Sequence, residues 1–108
     1  MKFIDIKQNT KNREKIEFIA HHNGIELALD KLAEECAEYV AARIKDNIGE
    51  GKPSQYVFEL ADVLIMVEQV RLLIKESRPG LAVILQQEIE RKLNRQIKRI
   101  EEEQDEVN

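Results

Sequence analysis

The sequence predicts an all-α domain with a four-helix, bundle-like architecture. Aromatic residues make up only 5% of the chain, which has four glycines, two prolines and no tryptophan, whereas charged residues make up 35%. Such a composition, rich in Glu, Lys, Leu and Ile, is typical of helical proteins. Apolar residues recur at helical spacing, and turn-forming segments divide them into four stretches. We therefore expect a single all-α domain over residues 1–108.

The first two predicted helices meet at Asn23-Gly24. Apolar residues at helical spacing predict a first helix over about 12–22. Asn23 is followed three residues later by Glu26, the pattern of a capping box, and this predicts a second helix over about 25–45. The apolar stripe of the second helix consists of Ile25, Leu29, Leu32, Cys36 and Val40.

Two further helices follow the glycine-rich segment "DNIGEGKPS". Ser54 is placed to cap a third helix over about 55–76, which is apolar on almost every side between Leu60 and Val67. The turn "SRPG" precedes a fourth helix over about 81–102, and we expect the acidic tail, about 103–108, to be frayed. The fourth helix places one apolar stripe along its length: Leu81, Leu85, Ile89, Leu93, Ile97 and Ile100.

The third helix predicts association between copies of the chain. Its apolar surface exceeds what three neighbouring helices of so small a protein would cover. We therefore expect a homo-oligomer, either a homodimer or a dimer of dimers. Helical-wheel angles make Ile65 the best single candidate for the interface, since it lies away from the acidic side of that helix.

Charge and cysteine content exclude several classes of protein. The net charge of −4 provides no basic surface for nucleic acid, so no nucleic-acid partner is expected. We also expect no membrane association, because no apolar stretch approaches the length that crosses a bilayer and the first residues, "MKFIDIKQNTKN", are polar. A single cysteine cannot form an internal disulfide, so the expected setting is a reducing cytoplasm.

Two acid-rich segments, "EECAE" and "ELAD", lie on the second and third predicted helices. With Leu32 as the centre of the buried stripe, Glu35 lies about 60° and Glu38 about 120° to the same side, at about 100° per residue. Glu34 points almost directly away from that stripe. Glu59 and Asp62, three residues apart, share a face whose other residues are apolar.

Four carboxylates on adjacent helices would repel one another unless a cation lay between them. Desolvation adds several kcal/mol for each unpaired charge, and Lys31 offers the one nearby positive charge on the second helix. Oxygen ligands without a matched His or Cys set favour Mg²⁺, with Mn²⁺ as the other choice, over zinc. A lone pair of acids at this spacing is most often a solvated helix face. Two such pairs, one of them in an apolar helix, favour a metal site.

The acids Glu34, Glu35 and Glu38, followed after twenty residues by Glu59 and Asp62, resemble a known motif. It is the EExxE…ExxD signature of MazG-like nucleotide pyrophosphohydrolases, in the all-α NTP pyrophosphatase superfamily. The resemblance covers the second and third helices, and extends more loosely to "RKLNRQIKRI" in the fourth. It implies a helical bundle that forms dimers or dimers of dimers. It also implies Mg²⁺-dependent cleavage of a nucleoside triphosphate, NTP or dNTP, to the monophosphate and pyrophosphate, with a role in clearing the nucleotide pool.

The resemblance assigns roles to individual acids. Glu35, Glu38, Glu59 and Asp62 would be metal ligands and Glu34 an accessory acid. The wheel selects the same four acids, since it rejects Glu34. Glu35 or Glu38 would also be catalytic, by orienting the water that attacks in line.

Candidates for substrate binding are basic residues. The three on the fourth helix are spaced to reach the triphosphate or the leaving pyrophosphate, although a solvated basic face is an equally good interpretation. The full set is Lys31, Lys92, Arg95 and Arg99.

The alternative from another class is a non-catalytic, oligomeric helical interaction module with a surface acidic face. This alternative predicts no effect of divalent cations on stability, whereas a metal-dependent hydrolase predicts a clear one.

Overall fold

The computed structural model describes residues 10–52 and 54–107, and in these residues it contains three α-helices and no strand. Helix α1 runs over Thr10–Asn47, α2 over Gln55–Ser77 and α3 over Pro79–Val107. The all-α class predicted from the sequence is therefore confirmed, whereas the four-helix bundle is wrong. None of the three helices is both long and apolar enough to cross a membrane.

Helix α1 contains both of the helices predicted over about 12–22 and 25–45. They are joined through Gly24, whose φ of 77° and ψ of 168° are not helical. This conformation is open to glycine because it has no Cβ, so the chain kinks there and resumes its helix at once. No capping-box hydrogen bond joins Asn23 and Glu26; the Glu26 carboxylate accepts a hydrogen bond from Arg78, next to the end of α2.

The other predicted helices agree more closely with the structure. The third one, over about 55–76, is confirmed as α2, and Ser54 occupies the N-cap position without a side-chain capping bond. The fourth one, over about 81–102, is confirmed as α3, although α3 begins at Pro79 and continues through the acidic residues to Val107.

A small core joins α1 to α2. The buried residues of α1 in this core are alanines, Ala20 and Ala28, which face the larger Met66, Val70 and Leu73 of α2. Because alanine has so short a side chain, the two helix backbones approach closely, and Ile25, Leu29 and Leu32 pack around the contact. The two helices thus form an antiparallel pair that fixes the positions of their polar residues.

Helix α3 packs mainly against α2. No Cα atom of α3 lies within 8 Å of one in α1, although the first part of α3 and the first part of α1 line one pocket together with α2. The apolar stripe predicted to be buried in a bundle is largely exposed, with only Ile89 partly covered. The radius of gyration is 17.1 Å, whereas a compact chain of this length has about 13 Å. The oligomeric state predicted from the sequence stays a prediction at this point.

Candidate metal centre

The line along which α1 and α2 face each other includes two acids. From Ala28 onward, less exposed positions of α1 recur at alternating spacings of four and three residues. Less exposed positions are more numerous on α2, and five of them between Glu59 and Leu73 have the same spacings. Such a spacing is typical of two helices that pack side by side. We call these positions the α1–α2 seam: Ala28, Leu32, Glu35, Tyr39 and Ala42 on α1, and Glu59, Val63, Met66, Val70 and Leu73 on α2.

The seam differs from the apolar stripe predicted for this part of α1. Cys36 and Val40, which were expected to be buried, are exposed. Glu35, which was expected at the edge of the core, lies on the seam itself. The first part of the predicted stripe, Ile25, Leu29 and Leu32, does pack against the core. Farther along α1 the less exposed positions are Tyr39 and the small Ala42.

Three carboxylates converge at one end of the seam. Glu35, Glu38 and Glu59 each offer a carboxylate oxygen, and the three oxygens all lie within 4.8 Å of one another. We call these three residues the carboxylate triad. Two of them come from α1 and one from α2, so the packing of the two helices creates the group. The sequence prediction that these three acids meet is therefore consistent with the geometry.

Glu35 has the least favourable environment of the triad. Its Oε2 atom is buried and has no hydrogen-bond partner. Burial raises the pKa of the Glu35 carboxyl, and the negative charges of Glu38 and Asp62 raise it further. The ionised form of Glu35 is thus disfavoured unless a positive charge lies nearby.

Gln55 holds the third member of the triad in place, a role that was not anticipated from the sequence. Its Nε2 donates a hydrogen bond of 3.0 Å to Oε1 of Glu59. Residues four apart lie on the same side of a helix, so the spacing of Gln55 and Glu59 was the available signal. The bond restrains the Glu59 carboxylate at the start of the second turn of α2.

Asp62 and Glu34 lie beside the triad and not within it. Asp62 is exposed on α2, and its oxygens are not part of the three-oxygen group found among the described residues. Glu34 is exposed on α1, as the wheel predicted. Both acids nevertheless act on Glu35, because the charge of each contributes to its raised pKa.

The basic residues predicted to bind substrate are all exposed, and they lie on two different helices. Lys31 lies one turn before Glu35 on α1. Lys92, Arg95 and Arg99 lie on α3, in which no Cα atom is within 8 Å of one in α1. Within one chain, the structure does not bring these three residues into contact with Glu35 or Glu38.

The triad fits a hard divalent cation better than it fits a softer metal. Its donors are all carboxylate oxygens, the ligands that Mg²⁺ and Mn²⁺ prefer. Oxygens that share one Mg²⁺ lie about 3–4 Å apart, since each Mg–O distance is about 2.1 Å. The present separations of up to 4.8 Å would close by small side-chain rotations. An ion there would also offset the negative charges that surround the Glu35 carboxylate.

Comparison with protein-family models, with curated proteins and with solved structures finds no match for this chain.

Proposed function

We propose that this protein is a Mg²⁺-dependent nucleoside triphosphate pyrophosphohydrolase, which converts an NTP or dNTP and water into the monophosphate and pyrophosphate. The observation that carries the proposal is the carboxylate triad, in which Glu35, Glu38 and Glu59 approach within 4.8 Å across two helices. These are three of the four acids to which the EExxE…ExxD resemblance assigns metal binding.

The energetic position of Glu35 supports a cation at this site. A carboxylate on the seam between two helices loses hydration, and its neighbours carry the same charge. Positions between two packed helices are usually apolar, since an unpaired charge that loses hydration destabilises the fold. Binding of a divalent cation would offset that destabilisation, because it would bring positive charge to a group that consists of three acids.

The residues of the site would divide the work according to their exposure. Glu35 and Glu59, the less exposed members, would hold the cation, with Gln55 restraining Glu59. Mg²⁺, when bound, neutralises and polarises the phosphates of the substrate. Glu38 is exposed and would orient a water molecule and accept its proton. The water oxygen would form a bond to the α-phosphorus as the bond from that phosphorus to the bridging oxygen breaks, and pyrophosphate would leave.

The second candidate function is the non-catalytic interaction module. The exposed apolar residues of α3 favour it, because they mark a surface that a partner would cover. An enzyme that associates through α3 would use the same surface, so this surface does not distinguish the two candidates. They differ in whether the triad binds a cation and supports catalysis.

A pyrophosphate-release assay over common and modified nucleoside triphosphates, with and without Mg²⁺, tests the proposal. We expect release that requires Mg²⁺ or Mn²⁺. Glu38→Gln keeps the shape of the side chain but removes its charge, and it should lower turnover by about 100-fold or more. Glu34→Gln is the matched control, because it makes the same change at an exposed acid outside the triad, and its loss should be much smaller.

Two results would contradict the proposed activity. One is the absence of pyrophosphate release from every triphosphate at millimolar Mg²⁺. The other is a loss in Glu34→Gln as large as that in Glu38→Gln, with helical circular dichroism unchanged in both. The first result would favour the interaction module.

A further inference from the structure

A single residue, Arg78, joins α2 to α3. Its backbone N–H donates a hydrogen bond of 2.8 Å to the carbonyl of Ile74, so Arg78 ends α2. Its own carbonyl accepts hydrogen bonds from the N–H groups of Leu81 and Ala82, at 3.0 and 3.1 Å, so Arg78 also starts α3. Its φ of −140° and ψ of 63° are not helical. The direction of α3 relative to α2 therefore depends mainly on the torsions of this one residue.

Few other contacts within the described chain restrain the direction of α3. Every residue described with its side chain from Glu90 to Glu106 is exposed. The first part of α3 lines a cavity of about 670 Å³ together with α2 and the first part of α1. Val83 and Gln86 of α3 line this cavity, as do Arg13 and Ile16 of α1. Within the part of the chain that the structure describes, α3 therefore has room to rotate toward α1 or away from it.

The length of α3 amplifies any rotation at this junction. The helix contains 29 residues, which extend over about 43 Å at 1.5 Å per residue. A rotation of about 15° at Arg78 would move the far end of such a helix by about 11 Å. A modest change in the torsions of Arg78 is thus enough to relocate the outer half of α3.

The side chain of Arg78 ties the junction to α1. Its Nη2 donates a hydrogen bond to Oε1 of Glu26, which forms an ion pair between the two helices. Two residues earlier, Oε2 of Glu76 accepts a hydrogen bond of 2.8 Å from Nε2 of His21. Glu26 and His21 lie on opposite sides of Gly24, where α1 kinks. The two contacts therefore connect the end of α2 to both halves of α1.

Such an ion pair contributes little to the stability of a fold, because both partners keep most of their contact with water. The side chains of Glu26 and Arg78 are 76% and 40% exposed. Rotation of α3 is a different equilibrium, since the outer half of this helix is exposed and its movement changes few contacts within the described chain. A weak ion pair is then able to decide which direction of α3 is populated.

We propose that Arg78 is the pivot of a hinge between α2 and α3, and that its ion pair with Glu26 is a latch that holds α3 in the observed direction. The contact between His21 and Glu76 is a second tie at the same corner. Release of the latch allows α3 to rotate and changes the width of the cavity between α3 and the first part of α1. This inference does not depend on the proposed enzymatic activity.

Double electron–electron resonance between two spin labels on the full chain tests the latch. One label is attached to Cys36, the single native cysteine, which is exposed on α1. The other is attached to Gln104→Cys, at an exposed position near the end of α3. An excess of unlabelled protein restricts the measured distances to those within one chain. With the latch intact and at low salt, we expect one narrow distribution of distances.

Loss of the ion pair should change that distribution. Arg78→Gln removes the charge of the latch and should broaden the distribution, or shift its centre by about 10 Å, as the lever arm of α3 implies. Sodium chloride at about 1 M should have the same effect on the wild type, because it screens charges that are exposed.

Two further variants separate the latch from a general effect of lost charge. Arg91→Gln is the matched control, because the ion pair of Arg91 with Glu88 lies within α3 and does not cross the junction, so the distribution should stay as in the wild type. The exchange of Glu26→Arg with Arg78→Glu restores the ion pair with its charges reversed, and it should restore the narrow distribution.

Three results would overturn the latch. The first is a broad distribution in the wild type at low salt. The second is an Arg78→Gln distribution that equals that of the wild type or that of Arg91→Gln. The third is a change in Arg78→Gln that the charge exchange leaves unrepaired, which would show that Glu26 is not the partner that holds α3.

Discussion

Glu35 occupies a position where a pair of packed helices ordinarily has an apolar side chain. It follows Ala28 and Leu32 and precedes Tyr39 and Ala42 along the α1–α2 seam. Apart from the polar tip of Tyr39, each of these neighbours is apolar, so the carboxylate is the exception. Its buried Oε2 has no hydrogen-bond partner, and nearby acids add repulsion. We infer that the carboxylate is unfavourable at this position only when no cation is bound to it.

Replacement of Glu35 by glutamine should stabilise the folded protein when EDTA removes divalent cations. Because the pKa of Glu35 is raised above its ordinary value of 4.5, the ionised carboxylate destabilises the folded state. The variant should therefore be more stable than the wild type at pH 7, by an amount on the order of 1 kcal/mol. That advantage is fully present above the folded-state pKa and should disappear as the pH falls toward the ordinary value. Urea denaturation at several pH values measures it.

Glu14→Gln serves as the control for this prediction. Glu14 is exposed in the first turns of α1, far along the helix from the triad, so its replacement should change the free energy of unfolding by no more than about 0.5 kcal/mol. If Glu35→Gln proves less stable than the wild type at pH 7 without metal, Glu35 is a stabilising residue and our interpretation of its burial is wrong.

At the scale of elements, the sequence predicted where the helices break but not how they connect. The pair Asn23-Gly24 correctly marked a break in α1, since Gly24 has a positive φ of 77°. The chain nevertheless resumes a helix at once, so one kinked helix replaces two separate ones. Propensity and capping patterns are local, whereas the direction in which the chain continues depends on packing against α2.

Alanines account for the error in the predicted face of α1. The predicted stripe was drawn through the larger apolar side chains of the helical wheel. It therefore included Cys36 and Val40, which are exposed. The structure instead buries Ala28 and Ala42, whose small side chains admit a close neighbour. Hydrophobic periodicity alone does not distinguish a large residue on the surface from a small one at a close contact. The spacing of Glu35 and Glu38 nevertheless predicted their common side of α1, whereas Glu59 joins them only because α2 packs against α1 at that point.

Two glycines with equally open surroundings should differ in how their replacement by alanine changes the free energy of unfolding. A Cβ added at Gly24 or at Gly80 would meet no other atom within 4 Å. Gly24 differs in its φ of 77°, in a region that is nearly restricted to glycine. Gly24→Ala should therefore lower the free energy of unfolding by about 1–3 kcal/mol. Gly80→Ala, within the first turn of α3, should raise it by up to about 1 kcal/mol.

Thermal or urea unfolding of these two variants measures the comparison directly. Steric overlap is absent at both positions, so the difference between the variants reports backbone conformation alone. Equal effects of the two substitutions would mean that the kink at Gly24 is not required by the fold.

At the scale of the whole molecule, the amphipathic stripe of α3 was predictable but its neighbours were not. The stripe exists as expected, yet its outer residues are exposed, and no Cα atom of α3 lies within 8 Å of one in α1. An apolar stripe shows that a helix will be covered and does not show by which surface. The same uncertainty applies to Lys92, Arg95 and Arg99, whose spacing predicted a basic face without locating it relative to the acids.

The central claim is that the carboxylate triad binds a divalent cation, and thermal unfolding with and without metal tests it most directly. A cation that binds only the folded state raises the melting temperature by mass action. Millimolar Mg²⁺ or Mn²⁺ should therefore raise the melting temperature of the wild type by several degrees relative to EDTA. Glu59→Gln should abolish the shift, whereas Glu14→Gln should preserve it. A wild type whose melting temperature is the same in EDTA and in excess Mg²⁺ and Mn²⁺ would contradict the claim.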